Sequence, residues 1–304
     1  MRILRLWGIE VRINRYFLLL LAFLAAAGAA VPVLLSLLLV AVHEAAHVWA
    51  ARRLGLAVVR VELLPFGGVA ELATPLEFSA RHEFLVALAG PVCNGLLAAV
   101  GWSAAAVLRA YGPEAGPLAA ARGLLEGLFL QANVTLALFN LIPAFPLDGG
   151  RLWHAWALRR WGWQTAGRQA VWLGRNLGIL VAGAGTAYWL LAGANPSLAV
   201  LGLFLWLAAS GERRALPWKM WRYLAHRQSL LARQNLWLGE KIVARSAANV
   251  SSLLAYFRPD RYYLVMVLDA ESRPCGVVTE GEILEAMLQG KGEQTVGELL
   301  RRRL

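Results

Sequence analysis

The sequence predicts a polytopic α-helical membrane protein of about six spans, with a small β-hairpin at the membrane edge and a small α/β module at the C-terminal end. Three observations carry this. The chain is 59% hydrophobic, against about 45–50% for ordinary soluble domains. The excess is gathered in runs of about 18 or more residues with few charges, the length a helix needs to cross hydrocarbon. After residue 211 the composition changes, first to a basic amphipathic stretch and then, from about 238, to that of soluble protein.

In chain order, the first 15 residues, MRILRLWGIEVRINR, are basic and amphipathic and lack a small-residue cleavage signal, so they read as a retained cytoplasmic arm. Candidate spans follow at 16–30, 32–51, 83–108, 120–142, 170–192 and 196–210. Six spans put both termini on one side. The arginines agree: Arg2, Arg12, Arg52, Arg60, Arg81, Arg151 and Arg160 all fall on the side of the N-terminal arm, whereas the opposite connections hold little beyond Arg109 and Arg122. The positive-inside rule makes the arginine-rich side cytoplasmic. The domains are then a membrane domain over 1–214, an amphipathic linker helix over 215–237, and a cytoplasmic module over 238–304. The net charge of +11 is explained by these flanks; no basic patch interleaves with a nucleic-acid motif, which excludes that class. Cys93 and Cys275 make neither a metal spacing nor a disulfide framework.

The second span holds HEAAH at 43–47. His43 and His47, four apart, share a helical face. Two imidazoles so placed bind one zinc ion and leave the Glu44 carboxylate to act as general base on water activated at the metal. An ionisable cluster inside a membrane helix is functional by default. Zinc needs a third protein ligand. Asp148, in NLIPAFPLDGGR after the fourth span, is the leading candidate, with Glu62, Glu71 and His154 behind it. Pro143 and Pro146 forbid regular helix there, and irregular backbone at membrane depth must line a cavity or be buried in protein. Between spans two and three, VVRVELLPFGGVAEL (58–72) alternates around a Pro-Phe-Gly-Gly turn, as a β-hairpin does. It either captures an unwound substrate strand by β-addition or plugs the cavity.

HEAAH followed by NLIPAFPLDGG resembles the site-2 protease family of intramembrane zinc metalloproteases. The resemblance implies that His43, His47 and Asp148 hold one zinc, that Glu44 is the catalytic base, and that Asn140 positions substrate or stabilises the oxyanion. GPVCN (90–94) resembles a further family motif beside the site; Gly90, Pro91 and Asn94 also read as helix-packing residues. The LLPFGGVA loop resembles the sporulation-factor subgroup (stage IV sporulation protein FB type). That likeness implies cleavage of the pro-sequence of a membrane-tethered precursor sigma factor in the mother-cell membrane, restrained by inhibitory membrane partners.

In the tail, VMVLDAESRPCGVVTEGEILEAML resembles half of a CBS pair, which implies self-association. Thr279 and Glu282 form a capping-box pattern. In CBS modules a Thr and a following Asp hold an adenine nucleotide, so the resemblance makes Thr279 and Glu282 the candidate ATP site; Glu282 in place of the Asp tells against ATP, and the alternative is a tail that folds, dimerises and docks substrate without a ligand. The competing reading is a CBS-gated metal-ion or proton transporter. The absence of paired discontinuous spans and the scarcity of acids in the other spans argue against it.

Overall fold

Residues 30–53 are rich in Ala, Leu and Val, and the Ala and Leu lose little on entering a helix. In the computed structural model of the chain they form α1 (Ala30–Arg53). Its 24 residues reach about 36 Å at 1.5 Å per residue, enough to cross a hydrocarbon core of about 30 Å. Arg52 and Arg53 close the last turn, where cations suit the helix dipole. Gly55 ends it with φ +76°, its N–H donating to the Arg52 carbonyl and that of Leu56 to the Ala51 carbonyl. This is a Schellman cap, which requires a left-handed residue at that position. The structure describes residues 2–6, 9–13, 30–64, 67–72, 76, 79–114, 116–193, 195–233, 236–258 and 261–301.

The chain divides into two compact units, Met1–Pro143 with Leu147–Leu152, and Ala144–Pro146 with Trp153–Leu304. In the first, α1 packs against α2 (Ala80–Tyr111), whose N-cap Ser79 accepts from the His82 N–H. Segments 34–53 and 80–111 are long and apolar enough to span a membrane. Leu34, Leu38, Leu96, Val100 and Trp102 are each more than half exposed, as lipid-facing side chains are. The other face of α2 carries Gly90, Asn94, Ala98, Gly101 and Ala105, all buried. Their spacing of three and four makes one stripe. Against it lie α3 (Pro117–Leu124), a π-helical turn (Leu125–Leu130) and α4 (Gln131–Asn140), which run on without a break. A Cβ on Gly101 would lie 2.8 Å from the Phe129 ring, so glycine sets the approach of α2 to the π turn. The predicted span 16–30 lies, but for its last residue, outside the described residues.

The 58–72 segment forms the expected hairpin, β3 (Val58–Leu64) and β4 (Gly67–Leu72), antiparallel; its turn residues 65–66 lie outside the described residues. The sheet is larger than the hairpin. β1 (Arg2–Leu6) and β2 (Ile9–Ile13) of the N-terminal arm complete an order β1-β2-β3-β4, with β2 parallel to β3 and Glu10 opposite Arg60. The alternation in Ile9-Glu10-Val11-Arg12-Ile13 is a strand signal that its basic, amphipathic character masked.

In the second unit α5 (Asp148–Trp161), begun in the first, is followed by α6 (Trp163–Ala192) and α7 (Ser197–Arg233). α6 and α7 run antiparallel at close range. Added Cβ atoms on Gly178, Gly185 and Gly202 would lie within 2.5 Å of the backbone nitrogens of Trp206, Ala199 and Ala182. Only glycine, with no Cβ, lets two helix backbones come this close. The expected linker over 215–237 is largely the continuation of α7, which runs through Pro217 to Arg233.

The tail matches its predicted strand-turn-strand-helix order. β5 (Gly239–Arg245) pairs parallel with β6 (Tyr262–Leu268), and β6 antiparallel with β7 (Pro274–Thr279). Tyr263, Val265 and Val267 alternate into the core, with α8 (Val250–Leu253), α9 (Glu280–Leu288) and α10 (Val296–Arg301) around them. The capping box at Thr279 forms as expected.

Candidate metal centre

Both histidines of α1 turn inward: His43 is 4% and His47 7% exposed. Asp148, first residue of α5, joins them within the same unit. Its Oδ2 lies 3.1 Å from each Nε2, and the two Nε2 atoms are 3.2 Å apart. Among the described residues these three are the group able to hold a metal ion. Three ligands of a tetrahedral zinc at usual bond lengths stand about 3.3 Å from one another, so the observed triangle fits the ion with little adjustment.

The hydrogen bonds behind the ring atoms matter as much. His47 Nδ1 donates to the Val86 carbonyl at 2.6 Å, and His43 Nδ1 to Asn94 Oδ1 at 2.5 Å. With Nδ1 protonated, a neutral imidazole presents a bare lone pair at Nε2. Two lone pairs and a carboxylate oxygen then converge within one buried space. That arrangement favours a shared cation, since three acceptors alone repel one another.

The second helix makes room for it. A Cβ on Gly90 would sit 2.4 Å from His47 Nε2 and 2.6 Å from His43 Cε1. Pro91 removes the N–H that would pair with the Ala87 carbonyl and loosens this turn, where the neighbouring Val86 carbonyl faces His47. Asp148 is placed by a tight return of the chain: a Cβ on Gly149 would lie 2.3 Å from the carbonyl oxygens of Leu141 and Ile142. A carboxylate in the first turn of a helix is also favoured by the helix dipole.

Glu44 is half-buried beside His43 on α1. Asn140 ends α4, its side-chain amide donating to the Leu136 carbonyl of the same helix at 3.0 Å. Of the other ligand candidates, Glu62 and Glu71 are residues of β3 and β4, and His154 belongs to the second unit. Thr279 and Glu282 face each other: the Thr279 N–H and hydroxyl both donate to Glu282 Oε2 at 2.7 Å. The residue that sequence reasoning missed is Asn133, fully buried and hydrogen-bonded to Asn94 at 2.9 Å. Its signal was an amide in an apolar helix, which must find a partner.

Helix-borne histidines, a carboxylate entering from a Pro-flanked turn and a nearby acid form a site able to hold a metal ion, and comparison with known proteins makes it that of a metalloprotease. Residues 31–126 match the profile of Peptidase family M50. A solved structure, the site-2 protease from Methanocaldococcus jannaschii, is similar over 70% of this chain and 94% of its own, with 27% identity and a TM-score of 0.52. The Mycobacterium tuberculosis protein Rip3, named as a zinc metalloprotease, is 29% identical over 91% of this chain and 68% of its own length. Stage IV sporulation protein FB of Bacillus subtilis is 29% identical over 47% of this chain and 46% of its own. The protein is a metalloprotease, and these likenesses support the M50, or site-2 protease, family and zinc as its ion.

Proposed function

We propose that the chain is an intramembrane zinc endopeptidase that cuts a membrane-tethered protein near the cytoplasmic face. The observation that carries this is the triangle of His43 Nε2, His47 Nε2 and Asp148 Oδ2, with both histidines inside a segment apolar enough to span a membrane. Zinc held there supplies Lewis-acid polarisation of the scissile carbonyl and makes water a competent nucleophile near neutral pH. Glu44 takes the proton from the attacking water and returns it to the leaving amine. Asn140 turns its amide from the Leu136 carbonyl to the substrate backbone. The edge of the small sheet takes up unwound substrate as an added strand. Both termini are cytoplasmic in a multi-pass arrangement, and the tail mediates self-association.

The substrate we favour is the pro-sequence of a precursor sigma factor in a sporulating mother cell. The LLPFGGVA loop and the likeness to stage IV sporulation protein FB support it. The test is co-expression with a membrane-tethered sigma-factor precursor. Wild type is expected to process it. Glu44→Gln should keep zinc and lose about 10²–10⁴-fold in rate, the share of a general base. Equal processing by both proteins would sink the proteolytic role of Glu44. Processing of other tethered substrates but not the precursor would sink the sporulation assignment alone.

A further inference from the structure

Behind His43 runs a chain of buried amides that spans both helices packed on the site's far side. Asn94 Oδ1 accepts from His43 Nδ1. Asn94 Nδ2 donates to Asn133 Oδ1 at 2.9 Å, and Asn133 Nδ2 donates to the Phe129 carbonyl at 2.8 Å. Asn94 and Asn133 are both 0% exposed. An Asn amide has an acceptor end and a donor end of nearly the same shape. Which end meets His43 therefore depends on what holds the other. Asn133 offers an oxygen, so the Asn94 nitrogen must face it and the Asn94 oxygen must face the histidine. Asn133 is oriented in turn by a backbone carbonyl, which can only accept.

The consequence reaches the metal ligand. Were Asn94 reversed, its NH₂ would donate to His43 Nδ1. The neutral ring would then carry its proton on Nε2, the atom aimed at Asp148. We infer that Asn94 and Asn133 are positioning residues that set the tautomer of His43, with the Phe129 carbonyl of the π turn as the fixed end of the relay. His47 needs no such device, because its partner is a carbonyl. This inference rests on the metal-centre reading above.

The experiment is zinc affinity of the purified full chain, read by chelator competition, with the visible spectrum of the cobalt(II)-loaded protein as a second readout. Asn94→Leu and Asn133→Leu should each weaken zinc binding about 10–100-fold, as loss of an outer-shell partner does. Asn133 touches no ligand, so a mere contact model gives it no such effect. The double variant Asn94→Asp/Asn133→Leu decides the matter. A carboxylate has two oxygens and cannot present a donor, so it should return affinity and cobalt spectrum close to wild type despite the lost Asn133. Wild-type affinity in Asn133→Leu, or a double variant no tighter than Asn133→Leu, would overturn the inference and leave the metal centre standing. A wild-type chain that binds no zinc would overturn both.

Discussion

Gly90→Ala is expected to abolish zinc retention and proteolysis together by adding a single methyl group. The new carbon would lie 2.4 Å from His47 Nε2 and 2.6 Å from both Cε1 atoms, inside the contact distance of any unbonded pair. Neither ring can retreat, since Val86 and Asn94 hold them from behind. α2 must then move away from α1, which costs about 1–3 kcal/mol as overpacking does and pulls both Nδ1 acceptors off the histidines. Zinc content should fall at least as far as for an outer-shell loss, about 10–100-fold in affinity, and cleavage with it. Gly95→Ala is the matched control. It lies on the same helix with nothing within 4 Å of its added carbon, and should leave zinc unchanged and slightly favour the helix, since Gly costs about 0.5–1 kcal/mol relative to Ala there. Metal analysis of the two purified variants side by side checks the claim; a zinc-replete Gly90→Ala protein would refute it.

Glu280→Ala should be the most damaging single change in the second unit. Arg227, near the end of α7, is 2% exposed and Glu280 1%. Arg227 Nε and one terminal nitrogen donate to the two Glu280 oxygens at 2.7 and 3.2 Å. Glu280 also accepts from the Tyr263 N–H at 3.0 Å, while Arg227 donates to the Arg261 carbonyl and lies over the Trp237 ring, 4.3 Å from its centroid. Replacing such a pair by apolar residues can be neutral, but removing one partner strands a buried charge, at about 3–5 kcal/mol. Amides of β5, β6 and β7 should therefore exchange with solvent much faster in Glu280→Ala. Arg227→Met/Glu280→Leu, which leaves no unpaired charge, should recover most of the protection. If the single and double variants exchange alike, packing and not the stranded charge holds the tail to α7.

The parts of the fold legible in the sequence are those written in short-range pattern. The HEAAH spacing, the apolar runs, the alternation about Pro-Phe-Gly-Gly and the Thr279–Glu282 box each depend on residues within a turn or a strand of one another, where backbone geometry alone sets who meets whom. The N-terminal strands escaped although β1 and β2 pair with each other, because a short, basic, alternating arm also fits an amphipathic membrane flank; the pairing of β2 with β3, some 45 residues on, lay beyond any local pattern. Asp148 was reachable only through chemical need for a third ligand. Asn133 was out of reach, because an amide in an apolar helix announces that it has a partner without saying which.

The amino-acid sequence by itself thus determined the chemistry: two imidazoles and an acid on one turn of an apolar helix, followed by an aspartate in a Pro-Gly turn. Tertiary structure alone decided how that chemistry is held. It set Asp148 against histidines 105 and 101 residues away, Asn94 behind a histidine 51 away, and Glu280 on an arginine 53 away. The physical reason is range. Helical periodicity fixes neighbours three and four apart, whereas contacts across tens of residues depend on which faces pack, and here glycines at 90 and 101 choose those faces by the space they leave.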